Sequence, residues 1–260
     1  MLTLPGVVNV RDLGGIRLPS GTVRKGLLLR GGTLDSASDE AVSILSGQYH
    51  ISKVFDFRTT FERTVAPDRE IPGAQNVWLP AYDETSQSFI KRSLPQHAYR
   101  NLGPWLTEHA GEPFVQDVAR HIYLDMVENE FTLIQYAGFF QNILLTEGGA
   151  VYWHCSQGKD RTGLGAALLL AALGADRATI MSDYSLSADW YAEELGRYTP
   201  LVKTEEERTV LRTFVSVNPD YFSQALDFLE ASYGSMQDVL EGPLCLSPDD
   251  IGALRSYYLE

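Results

Sequence analysis

Residues 150–173 restrict this chain more than any other segment. Five β-forming residues, Ala-Val-Tyr-Trp-His, run into a short polar loop, and the loop runs at once into an apolar helical stretch closed by Gly174. A buried strand feeding directly into a buried helix belongs to a sheet whose strands are joined by helical crossovers, and such a sheet is mostly parallel. Ligands of such sheets bind beyond the C-terminal ends of the strands, where the loop Cys155-Ser156-Gln157-Gly158-Lys159-Asp160-Arg161-Thr162-Gly163 sits.

The remaining patterns agree. Residues 27–30, 53–57 and 75–79 read as further buried strands, and residues 35–46, 114–127, 131–145 and 163–173 as helices. Beyond residue 175 only helices are expected, with starts at Asn218-Pro219-Asp220 and Ser247-Pro248-Asp249-Asp250. Glu205-Glu206-Glu207 reads as a solvated first turn favoured by the helix dipole. Residues 83–130 are too long for a simple connection and read as a helical lid inserted over the site. Phe131, Tyr136, Phe139 and Phe140 fall at near-helical spacing and read as core. The expected fold is therefore α/β: a mostly parallel central sheet flanked by helices, with a helical lid insertion and a helical C-terminal layer. No repeat, low-complexity tract or linker divides residues 1–260, so one domain is expected.

Net charge narrows the partners. The chain of 260 residues carries −13, which disfavours nucleic acid and anionic membrane surfaces, so an anionic substrate needs a locally positive pocket. The N-terminal residues lack a charged region followed by an apolar one, and the most apolar stretch, residues 164–173, is too short to span a bilayer. Cys155 and Cys245 form no CxxC or His-rich spacing, and His50, His97, His109 and His121 have no mutual spacing suited to a metal, so neither a disulfide framework nor a metal site is indicated. A cytoplasmic location is the expectation, with non-classical export left open.

A loop feeding a helix N-terminus aims backbone N–H groups and the positive end of the helix dipole at one spot, and so cradles a phosphate. Cys155 opens that cradle, where the same field favours its thiolate and makes it a nucleophile. Arg161, six residues on, returns a planar fork that grips two phosphate oxygens. The expected chemistry is in-line attack by Cys155 on phosphorus, a phosphocysteine, and its hydrolysis, with no metal or other cofactor required. Ser156, Gln157, Gly158, Lys159 and Thr162 are expected to bind the substrate phosphate, with Thr162 offering its hydroxyl to the departing sulfur. His154 either orients the loop and supports the thiolate or is a satisfied structural histidine.

The run His154-Cys155-Ser156-Gln157-Gly158-Lys159-Asp160-Arg161-Thr162-Gly163 resembles the loop of the atypical bacterial tyrosine phosphatases, a family whose members also act on phosphoserine, phosphothreonine or phosphoinositides. Asn9-Val10-Arg11-Asp12-Leu13-Gly14-Gly15 is similar to its NFRDLGG, and Asp56-Phe57-Arg58-Thr59-Thr60-Phe61-Glu62 to its DLRxxxE. Arg30-Gly31-Gly32, Asp183-Tyr184-Ser185-Leu186-Ser187, Tyr233-Gly234-Ser235 and Leu254-Arg255 extend the likeness over nearly the whole chain. Departures are Val10 for Phe, Phe57 for Leu, and Cys245 where Gly is expected. The resemblance implies a cysteine-dependent phosphatase acting on a phosphorylated protein or a phosphoinositide, with phosphate as product.

The general acid stays open between Asp160, which the resemblance favours because no separate Trp-Pro-Asp segment is present, and Asp56 at the end of a strand; Asp12 and Asp183 are further candidates. Asp183 reads better as a buried brace for the loop. Lys159, and Lys91-Arg92 in the insertion, suit an additional phosphate, as in a phosphoinositide. Arg11 either pairs internally or touches substrate, and Arg30 reads as structural. Arg58 either pairs with Glu62 at four-residue spacing or reaches the pocket. Tyr82, Phe89 and Trp105 either contact substrate or pack the insertion, and Cys245 reads as an incidental apolar residue. A phosphate-binding pseudoenzyme and a rhodanese-like sulfurtransferase are the competing classes.

Overall fold

A computed structural model describes residues 2–83, 108–109, 111–146 and 148–260. Its centre is a five-stranded sheet in the order β1 (Arg11–Asp12), β4 (Leu28–Gly31), β7 (Ala150–His154), β5 (Ile51–Asp56) and β6 (Gln75–Trp78). Only β1 runs antiparallel, against β4; the other neighbours are parallel. A separate hairpin joins β2 (Arg17–Leu18) to β3 (Gly21–Thr22).

Every residue of β4 and β7 is buried, because both faces of the sheet are covered. The pleat sends Val151 and Trp153 into the larger apolar cluster on one face and Ala150 and Tyr152 into the smaller cluster on the other. Around the smaller cluster lies α1 (Asp39–Ser43), capped by Ser38 and continued by a π-helical turn over Ile44–Gln48. A short α2 (Thr60–Val65) follows β5.

The larger cluster holds α3 (Pro113–Glu128), α4 (Glu130–Leu144) and α5 (Asp160–Leu173). Nearly all of α5 is buried, which accounts for its lack of a polar face, and Gly174 ends it in the left-handed conformation at φ 98°. Tyr136, Phe139 and Phe140 are buried, and Phe139 meets Phe55 at 4.9 Å and Trp153 at 5.7 Å between ring centroids, seating α4 on the sheet. Phe131 is only partly buried.

The C-terminal layer is helical as expected: α6 (Arg177–Ser185), α7 (Ser187–Tyr198), α8 (Glu205–Val215), α9 (Pro219–Tyr233), α10 (Met236–Glu241) and α11 (Pro248–Tyr258). Asn218 and Ser247 cap α9 and α11, and Thr204 caps α8 through a reciprocal pair with Glu207. Cys245 is exposed and adopts φ 54°, a left-handed conformation that explains why glycine suits this position.

Of the expected lid over residues 83–130, α3 is described and packs against α8 and α9. Phe89, Lys91, Arg92, His97 and Trp105 lie outside the described residues, so the expectations attached to them do too. Among the described residues no helix is long and apolar enough to cross a membrane.

Candidate active site

Register places the C-terminal ends of the three central strands side by side, with His154 opposite both Gly31 and Asp56. The loop leaves from His154 and enters α5 at Asp160, with Cys155 almost wholly buried at its start. Its carbonyls are drawn outward. Asn9 donates to Gln157 O and Gly158 O (3.3 and 2.8 Å), Tyr191 to Gln157 O (2.5 Å), and Arg30 to Gly158 O (2.9 Å). The N–H groups of residues 156–159 have no acceptor among the described residues, which is the arrangement an anion cradle needs.

Gly158 is fixed by two constraints. Its φ is 67°, and a Cβ there would stand 2.3 Å from the Gly31 carbonyl. Only glycine lets the loop turn while pressed onto the end of β4.

Behind the loop a buried ion cluster holds it in place. Asp183 accepts from Arg11 Nε (2.8 Å) and Arg30 (2.6 Å), as expected of a brace. Burial opposes the Asp183 charge, but the two guanidiniums outweigh it and hold its carboxyl below the usual range. Arg11 also donates to Asn9 Oδ1 (2.8 Å) and Ser187 Oγ (3.2 Å) and is nearly inaccessible, so its expected contact with substrate is corrected to a bracing role.

Arg161 lies in the first turn of α5. It donates from both terminal nitrogens to Glu62 (2.7 and 2.6 Å) and, at 3.3 Å, to Phe57 O. That leaves Nε–H and one N–H of the same edge without an acceptor among the described residues, a side-on fork suited to two phosphate oxygens. Glu62 also accepts from Ser156 Oγ (2.5 Å) and from the Thr59 N–H (2.9 Å). Burial would raise the Glu62 carboxyl, yet Arg161 and Ser156 hold it far below the carboxylate range. Arg161 is pushed the other way: burial opposes its charge, but Glu62 more than restores it.

Glu62 is thus a site residue that sequence spacing misassigned to Arg58. The signal that finds it is the Thr59-x-x-Glu62 capping box, which starts α2 and orients Glu62 back over its own N-terminus.

Arg58 binds Asp56 through Nε (2.9 Å) and a terminal nitrogen (2.8 Å), and Asp68 at 2.5 Å. It also donates to Ala66 O (2.6 Å) and is 1% exposed, so its expected reach into the pocket is corrected. Asp56 has both oxygens engaged by Arg58, with Arg63 a further 3.1 Å from Oδ2. Its carboxyl is spent on holding Arg58, which removes it from the acid role expected of it.

His154 completes this network, with Nε2 3.3 Å from Asp68 and Nδ1 3.1 Å from Cys155 O. Burial disfavours its imidazolium, but Asp68 and Asp56 raise its pKa above the ordinary value. Asp56, Asp68 and His154 each bring one atom within 4.8 Å of the others, close enough to share a cation. Arg58 already supplies the positive charge between the two carboxylates.

Asp160 opens α5 with its side chain 21% exposed, and its Oδ1 accepts from Tyr123 (2.8 Å). Lys159 does not face an open pocket. Its ammonium donates to Thr213 O, Phe214 O and Ser216 O (2.9, 2.7 and 2.6 Å), the carbonyls at the C-terminus of α8. Burial lowers its pKa, and all three donors are taken, so its expected grip on substrate phosphate is corrected. Thr162 is buried, and its hydroxyl has no hydrogen-bond partner among the described residues. Arg161, Lys159 and Arg30 all lie within electrostatic reach of Cys155.

Comparison with known proteins places this geometry in context. The profile described as the tyrosine phosphatase family matches residues 2–260. A Cupriavidus necator protein provisionally named a tyrosine-protein phosphatase is 29% identical, over 99% of this chain and 88% of its own. The triple specificity protein phosphatase PtpB of Mycobacterium tuberculosis is 26% identical over 90% of both chains. A tyrosine-protein phosphatase of Nostoc commune is 45% identical over 61% of this chain and 46% of its own.

Proposed function

The chain belongs to the tyrosine phosphatase family and is a phosphomonoester hydrolase, and we propose that it cleaves protein phosphotyrosine through a phosphocysteine at Cys155. Phosphoserine and phosphothreonine are further substrates of the same loop, in keeping with the triple specificity for which the Mycobacterium relative is named.

In the first step the Cys155 thiolate attacks phosphorus in line, an S–P bond forms and the P–O bond to the substrate breaks. Asp160 gives its proton to the leaving oxygen. In the second step water attacks phosphorus and gives a proton to the Asp160 carboxylate, which restores the acid, and the S–P bond breaks to release phosphate and the thiolate. The side-on edge of Arg161 and the N–H groups of the loop hold the equatorial oxygens in both steps. Ser156, Gln157 and Gly158 contribute through the backbone, and Thr162 offers its unpartnered hydroxyl to the departing sulfur. Asp160 takes the acid role because Asp56 and Asp183 are each gripped by arginines at 2.6–2.8 Å, whereas the cation nearest Asp160, the Lys159 ammonium, stands 3.8 Å from Oδ2 and the Asp160 side chain is partly open.

The observation that carries the reading is the Arg161 fork, fixed on one side by Glu62 and open on the other, in the loop that begins with Cys155. A phosphoinositide reading needs an extra cation beside the loop. Lys159, the described residue expected to supply it, is committed to α8, so a single phosphomonoester on a protein is favoured.

The test is phosphate release from phosphotyrosine and phosphoserine peptides and a phosphoinositide panel, with chelator present. Turnover that survives chelator and is lost in Cys155→Ser is expected, with the phosphotyrosine peptide the best substrate. Phosphate binding without turnover on any substrate would make the loop a recognition site instead.

A further inference from the structure

We propose that Tyr123 is the positioning residue that holds Asp160 in its proton-donating orientation, and that α3 thereby forms part of the active machinery. The inference rests on the reading of Asp160 as the general acid.

Tyr123 comes from the middle of α3 and is fully buried. Its hydroxyl donates to Asp160 Oδ1 at 2.8 Å and lies 2.9 Å from the Tyr184 hydroxyl. Tyr184 is itself locked: its ring stacks on Phe222 at 3.8 Å with planes 2° apart. Its ring also lies against Gly163, where a Cβ would meet it at 3.0 Å. Because Tyr123 spends its one proton on Asp160, the bond between the two phenols runs from Tyr184 to Tyr123, and the donors run one way towards Asp160.

That direction matters for catalysis. With Oδ1 serving as acceptor, Oδ2 is the oxygen left to carry the proton for the leaving group, with the Lys159 ammonium 3.8 Å away and committed to the carbonyls of α8. The terminal torsion of an aspartate is broad, and a carboxyl in the first turn of a helix rotates unless something holds it. Burial, and then the Asp160 charge, push the Tyr123 phenol well above its ordinary range, so it remains a neutral donor at every working pH. Tyr184 sits beside Asp183, so one turn of α6 braces the loop with one residue and orients the acid with the next.

The test exploits the fact that only a poor leaving group needs a proton. Tyr123→Phe keeps the ring and deletes the hydroxyl. It should lower kcat on a phosphotyrosine peptide by about 10–100-fold, the cost expected of a misplaced catalytic group, while KM stays within about twofold. On an aryl phosphate with a strongly activated leaving group the loss should be under about threefold, because general acid assistance is not needed there.

Asp160→Asn should show the same leaving-group signature, and Tyr123→Phe/Asp160→Asn should be no slower than Asp160→Asn alone, as for two residues acting as one unit. Equal losses on both substrates in Tyr123→Phe, with Asp160→Asn keeping the signature, would overturn the inference and leave Tyr123 a packing residue. Absence of the signature in Asp160→Asn itself would refute the acid reading and remove the inference with it. Melting temperatures within about 5 °C of wild type confirm that Tyr123→Phe reads chemistry rather than folding.

Discussion

Glu62→Gln is the sharpest perturbation of the anchor behind the phosphate cradle. Glu62 accepts two bonds from Arg161, at 2.7 and 2.6 Å, one from Ser156 at 2.5 Å and one from the Thr59 N–H at 2.9 Å. Glutamine has the same length but one acceptor oxygen and a donor nitrogen. One Arg161 bond survives, while the other becomes a donor facing a donor. A hydrogen bond to a charged group is worth about 1.5–3 kcal/mol, and the opposed donors add to the loss. A net penalty of about 2–4 kcal/mol on the placement of Arg161 follows, which is roughly 30- to 1,000-fold in rate at 1.36 kcal/mol per decade.

The assay is kcat/KM on a phosphotyrosine peptide together with the inhibition constant of inorganic phosphate, since both use the Arg161 fork. Both should worsen in Glu62→Gln. A kcat/KM within about threefold of wild type, less than about 0.7 kcal/mol, would mean that the loop positions Arg161 without Glu62 and would refute the reasoning. Acid should mimic the mutation. The Glu62 carboxyl is depressed in the folded protein, so the stability it contributes is complete above the ordinary glutamate value of about 4.3 and is lost as pH falls towards its folded value.

Other outcomes follow from the surrounding network. Arg58→Ala leaves Asp56 and Asp68 buried without their shared cation, at a cost of about 3–5 kcal/mol, or a fall in Tm of about 6–20 °C for a chain of this size; an unchanged Tm with lost turnover would place Arg58 in the pocket after all. Gly158→Ala forces an L-residue to φ 67° with its Cβ 2.3 Å from Gly31, so thermal melts and turnover should show a destabilised chain with little activity. A raised pKa makes the His154 contribution complete below the ordinary histidine value of about 6.5 and lost as pH rises through the folded value. Tm measured from about pH 6 to 8, the range where histidine titrates, should therefore decline in wild type and flatten in Asp68→Asn. Equal slopes would remove His154 from the account.

The central strands were legible because burial on both faces gives an uninterrupted β-forming run; Ala150–His154 is read to the residue, and the others to within two. The expected burial of residues 75–79 is corrected: β6 is the edge strand, and three of its four residues are exposed. Strands of two residues such as β1, β2 and β3 are too short to carry a pattern, and α2 has no buried side chain and hence no apolar periodicity. The nucleophile and the phosphate-gripping arginine were legible because both lie in one contiguous loop.

Their partners were not. Four-residue spacing predicts a pair only within one helix, and Arg58 precedes Thr59, the cap of α2, so it lies outside the helix that carries Glu62. Lys159 finds carbonyls some 55 residues further on, and Arg11 finds Asp183 across the sheet. Local sequence registers the charge of such residues but not the partner that the fold supplies.

The most direct measurement is to mix the enzyme with a phosphopeptide carrying labelled phosphate in the presence of chelator, quench within one turnover, and map the label by peptide mass spectrometry. The account predicts a transient phosphoryl adduct on Cys155 that decays as free phosphate appears and is missing in Cys155→Ser. Turnover with no adduct on Cys155, or undiminished turnover in Cys155→Ser, would contradict it.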